Sequence, residues 1–134
     1  MKVIKILGHP VMFLSLSMLL IIEGEHFGGF YLLYLLFGLT YGAAFSLLFV
    51  SGALTLTIYL NIKKWKTLPL KFLTKLVGFV LVLASIYIFF ASSTIDQHTT
   101  FTDTIPVLSF CFFGISCLCF IANMVAVLFK RSDP

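Results

Sequence analysis

FGGFYLLYLLFGLTYGAAFSLLFVSGALTLTIYLNI, residues 27–62, contains no Asp, Glu, Lys, Arg or His. How often the chain crosses a bilayer within this stretch decides the fold. As one straight helix its 36 residues would extend about 50 Å, well past a hydrocarbon core of about 30 Å. Two full spans would suit the length. They would also put Lys63, Lys64 and Lys66 on the side opposite Lys2 and Lys5, against the bias of cationic side chains toward one side of the membrane. The stretch is therefore read as one span over 41–62, preceded by a short piece over 27–37 that lies along the outer interface or dips in and returns. Gly38, Thr40 and Gly42 supply the break, since glycine weakens a helix and admits turn geometry.

The charges around this stretch follow one pattern. All nine Lys and Arg residues fall in alternate gaps between apolar runs: Lys2 and Lys5, then Lys63, Lys64, Lys66, Lys71 and Lys75, then Lys130 and Arg131. Four of the five acids, Glu23, Glu25, Asp96 and Asp103, fall in the other gaps. Such alternation marks a multi-pass membrane protein oriented by its cations. The rest of the chain then reads as spans over 3–22, 72–91 and 105–129. Pro10 either kinks the first span or starts it. Pro106 fits the first turn of the last, where its missing N–H is no loss. Nothing resembling a small-x-small cleavage site follows the first run, which is expected to remain uncleaved.

Composition agrees. With 60% hydrophobic and 10% charged residues, and a mean hydropathy of +1.12, the chain could not cover a water-facing surface, for which about a quarter charged residues is usual. The formal charge of +4 is dispersed among membrane flanks, which argues against nucleic acid as a partner. Cys111, Cys117 and Cys119 lie inside the last apolar run and act there as small hydrophobes. The expected fold class is all-α: an integral membrane four-helix bundle with an extra re-entrant or interfacial helix. It forms a single polytopic domain over 1–134 with both termini cytoplasmic.

Two sets of residues stand out as candidates. Glu23, Glu25 and His26 in the first outer loop, with Asp96, His98 and Asp103 in the second, gather carboxylates and imidazoles on one face. Those groups suit a divalent metal or a proton-accepting pore mouth. Charges are expected at span ends in any case, no recognised metal-ligand spacing is present, and the bland reading of hydrated boundary groups outweighs the site. Whether a metal binds is left open. The second set is small residues at helix-packing spacing: Gly38, Gly42 and Ser46, and Gly114, Ala122 and Ala126. Intrachain packing is the default for both rows.

Basic residues beside Trp65 anchor the inner boundary and attract anionic lipid. Outside the flanks, no ionisable group is read near the centre of the later spans. Ser51, Thr55, Thr57 and Ser85 are expected to bond to their own helix carbonyls. No phosphate-binding loop or nucleophile motif is present, so the expectation is a non-enzymatic protein without a cofactor. It would be a subunit or accessory protein of a membrane assembly, with the bilayer and either its own copies or a larger membrane protein as partners. The alternative is a transporter or channel for a small or lipophilic solute, with the acidic and histidine cluster at its outer mouth. Compact loops favour a bacterial inner membrane.

Overall fold

The computed structural model describes residues 2–22, 29–62, 68–92 and 104–129. Six helices account for most of them: α1 (Lys2–Leu7), α2 (Pro10–Met18), α3 (Tyr31–Thr40), α4 (Ala44–Asn61), α5 (Leu68–Ala91) and α6 (Thr104–Phe129). Two short extended pieces, β1 (Ile21–Ile22) and β2 (Gly29–Phe30), pair antiparallel, with Ile21 opposite Phe30 and Ile22 opposite Gly29. α4, α5 and α6 are each long and apolar enough to cross a membrane, and most of their surface faces outward and is apolar. The helix set is compatible with a membrane protein.

The first apolar run departs from the expected single span over 3–22. It is broken at Gly8-His9-Pro10 into α1 and α2, and it ends in the extended residues of β1. The cause is local. Pro10 has no N–H to offer the carbonyl of Ile6, and its ring disfavours helical backbone at the residue before it. His9 is accordingly extended and caps α2, its Nδ1 accepting from Val11 N at 3.4 Å, while its own N–H closes on Ile6 O at 3.1 Å. Leu7 O thereby loses the Val11 donor that an unbroken helix would have given it.

α6 supplies the missing partner: Ser116 Oγ donates to Leu7 O at 3.0 Å. Asn123 Nδ2 adds a bond to Ile4 O at 3.2 Å, beside the one that Ile4 O accepts from Gly8 N. At the other end Ser109 Oγ accepts from Ile21 N at 3.1 Å and donates to Pro106 O at 2.7 Å. Ser109, Ser116 and Asn123 are seven residues apart, two helical turns each time, so they form one polar stripe along α6. The N-terminal segment runs antiparallel to that stripe. Gly8 lies directly on it: a Cβ there would collide with the Cys119 carbonyl and the Asn123 side chain.

α4 and α5 form a second close pair. Gly52 and Gly78 face each other, and a Cβ at either would press on the partner helix, at 3.1 Å from Gly78 O and 3.2 Å from Gly52 O respectively. In lipid such close approach is a main source of helix association, because the tails are as apolar as the side chains. The two close pairs meet through rings rather than backbones. Phe13 of α2 is fully buried against Phe79 of α5 (5.1 Å between centroids) and against Phe113 and Phe120 of α6 (5.6 and 4.9 Å). Phe79 stacks on Phe120 at 4.9 Å with 10° between planes, and Phe90 meets Phe110 at 5.5 Å. Those pairings make α5 and α6 antiparallel.

α3 folds back along the first turns of α4. Gly38 lies against Ser46 and Phe45, and Tyr31 lies against Phe49 at 5.9 Å. Between the helices Gly42 has φ +67°, the left-handed conformation that glycine adopts without steric cost. One face of α3 (Tyr31, Leu35, Gly38) is buried, while Leu33, Leu36 and Phe37 are exposed. The expected helical piece thus begins at Tyr31, with Gly29 and Phe30 extended. Its aromatic residues do not share one side: Tyr31 is buried, whereas Phe37 is 67% exposed.

Gly8→Val is expected to lower stability by about 1–3 kcal/mol, the usual range for overpacking. Thermal unfolding in detergent would read this, with Gly114→Val, at a site with nothing within 4 Å, nearly unchanged as the control.

Candidate functional site

Two constellations place polar or charged groups inside the apolar body. The first lies near the α4 N-terminus. Ser85 of α5 donates to Phe45 O of α4 at 2.6 Å, and Tyr31 OH of α3 is 2.7 Å from Ser85 Oγ. A serine hydroxyl has one proton, already given to Phe45 O, so the tyrosine is the donor. Ser85 thus joins α3 and α4 through α5. This differs from the expectation that it bonds within its own helix, which Ser51, Thr55 and Thr57 do, to Leu48 O, Ser51 O and Ala53 O. Edge-to-face rings enclose the group: Phe89 is 5.0 Å from Tyr31, 5.1 Å from Tyr34 and 5.0 Å from Phe45. Beside it, Ser46 is fully buried and its Oγ has no hydrogen-bond partner.

The second constellation is at the opposite end of the bundle. Lys75, two turns into α5, is only 7% exposed. Its Nζ sits 4.4 Å from the centroid of the Phe120 ring of α6 and 5.9 Å from that of Tyr59 of α4. Lys71, one turn earlier, places its Nζ at the same 5.9 Å from Tyr59. Sequence reasoning treated both lysines as markers of the span boundary. The helix instead begins at Leu68, which carries Lys75 inside the bundle. The available signal was the absence of any helix breaker between Leu70 and Lys75.

The outer acidic and histidine residues, Glu23, Glu25, His26, Asp96, His98 and Asp103, all lie outside the described residues. Among the described residues no group of three or more His, Cys, Asp or Glu side chains gathers as a metal site would need. Of the small-residue rows, Gly38 and Ser46 are buried against each other, and Gly42 forms the exposed turn. Gly114, Ala122 and Ala126 are exposed on the outer side of α6, and nothing lies within 4 Å of where a Cβ on Gly114 would be. The polar stripe of Ser109, Ser116 and Asn123 went unread. Its seven-residue period within an otherwise apolar run was the signal that could have found it.

Comparison with protein-family models, with curated proteins and with solved structures returned no match.

Ser85→Ala removes two bonds at once and is expected to cost about 1–2 kcal/mol. Tyr31→Phe should cost less, and the double variant less than the sum of the two, because both single changes cut the same chain of bonds. Unfolding of all three in one detergent would check the coupling.

Proposed function

We infer that this chain is a small multi-pass membrane protein acting as a non-enzymatic subunit or accessory protein of a membrane assembly. It is one polytopic domain over 1–134 with both termini cytoplasmic, in a bacterial inner membrane. Its partner is a second copy or a larger membrane protein docked on the outer face of α6. The observation that carries this reading is the contrast between glycines. Gly8, Gly52 and Gly78 each give a close backbone approach within the chain, whereas Gly114 opens the surface of α6 to nothing among the described residues. Glycine weakens a helix relative to alanine, and Ala122 and Ala126 continue the small surface toward the C-terminal end. A second helix seated there would use the space.

The use of the interior polar groups supports the same reading. Ser116, Asn123, Ser109 and Ser85 are bonded to backbone groups of other segments, so they hold the protein together. The orientation rests on the cations, and contacts between Ile4 and Asn123, and between Lys75, Tyr59 and Phe120, support a common basic end for α1, α4, α5 and α6.

Cys111 is exposed one turn before Gly114. Thiol cross-linking in native membranes should capture a partner through Cys111, and Gly114→Ile should abolish the adduct while leaving the fold intact. A chain that stays monomeric under every native condition overturns the proposal. Tags at Lys64 and at the C-terminus should be accessible from the same side of intact vesicles; opposite sides would reject the orientation.

A further inference from the structure

Lys75 presents an imbalance that the fold alone does not resolve. Two ammonium groups one helical turn apart share the Tyr59 ring, and like charges at that spacing disfavour each other. The faces of Tyr59 and Phe120 attract a cation but carry no net charge. A buried charge needs an opposite one nearby. All five acids lie outside the described residues, and chain length limits where four of them can be. Asp96 is four residues from Ser92 and so within about 14 Å of it. Seventeen helical residues, about 25 Å, separate Ser92 from Lys75. Asp103 adjoins Thr104, the first residue of α6, far from Phe120 in the same helix. Glu23 and Glu25 follow Ile22 by one and three residues, and Ile21 meets Ser109 toward the end of α6 remote from Phe120. Asp133 comes four residues after Phe129, the end of α6, so chain length sets no such limit on it.

We propose that Lys71 and Lys75 bind the phosphate of an anionic phospholipid, with Tyr59 and Phe120 as the walls of the site. Each ammonium offers three donors, enough for two of them to satisfy a phosphodiester from two directions. The position is that of a headgroup: at the basic end of the bundle, between three helices, where inter-helix basic pockets take acidic lipids. The neighbouring surface suits acyl chains. Ile62, one turn beyond Tyr59, and Ile121, next to Phe120, are exposed and apolar. A free inorganic phosphate would satisfy the same ammonium groups but would leave that apolar border unused. The proposal goes beyond the role as a membrane subunit and does not depend on it.

The test is native mass spectrometry of the full chain released from nanodiscs of phosphatidylcholine containing a minor fraction of phosphatidylglycerol. The wild type should retain phosphatidylglycerol in preference to phosphatidylcholine. Lys75→Met, which keeps the side-chain length between the rings, should weaken that retention at least tenfold, and Lys71→Gln severalfold. Helical circular dichroism in pure phosphatidylcholine checks that each variant is folded. Should Lys75→Met not fold, loss of retention in Lys71→Gln decides the matter. Millimolar inorganic phosphate should not displace the lipid. Displacement would assign the site to a soluble anion and overturn the proposal. Retention unchanged in both lysine variants would also overturn it. A wild type that retains no phosphatidylglycerol, with retention appearing only in Asp133→Asn, would overturn it too, because the lysines would then be paired within the chain. The Gly114→Ile variant should bind lipid normally, which separates this result from failure of the subunit reading.

Discussion

A backbone carbonyl in hydrocarbon has no water to turn to, and the arrangement of this protein follows from that constraint. Pro10 breaks the first apolar run, and the break strips a carbonyl of its helical donor. An isolated helix with this sequence would be a poor membrane element. Beside α6 it becomes acceptable, because Ser116 reaches across to Leu7 O, and Asn123 adds a second bond to Ile4 O. The bonds require short range, and Gly8 permits it by presenting no side chain to the Cys119 carbonyl. The polar residues of α6 and the glycine of the break are therefore parts of one solution.

The same economy explains the division of labour between small and large residues. Where backbones come together, at Gly8 on α6 and at Gly52 on Gly78, the contact is close and the side chains are minimal. Where the two pairs join, the space is filled by Phe13, Phe79, Phe113 and Phe120, whose rings are 4.9 to 5.6 Å apart. Bulky rings gain dispersion energy over many contacts without any polar demand. Tyr31 adds a hydroxyl at the far end of this aromatic filling, and Ser85 takes it up.

The long helices were legible because α4, α5 and α6 are uninterrupted apolar runs, and the charge pattern separates them. The turn at Gly42 was legible as a break, since glycine there follows a second glycine four residues earlier. The form of the first run was not. Hydropathy reports that residues 3–22 belong in an apolar medium, but it is silent on whether their backbone stays helical. Pro10 left two outcomes open, and the deciding partners lie more than a hundred residues away. Lys75 was misplaced for a related reason: a lysine at a span edge and a lysine one turn inside look alike until a ring from another helix is known to cover it. Ser85 was misread because a serine can bond its own helix or a neighbour's, and only packing selects. The outer acidic and histidine residues are outside the described structure, so their role stays where the sequence left it.

The pairing of the first and last elements has a consequence for biogenesis. A ribosome delivers the chain from the N-terminus, so the broken segment is made long before Ser116 and Asn123. Until α6 arrives, Leu7 O must borrow a donor from water, headgroups or the insertion machinery. Docking of the broken segment must therefore wait for α6, across more than a hundred residues of chain.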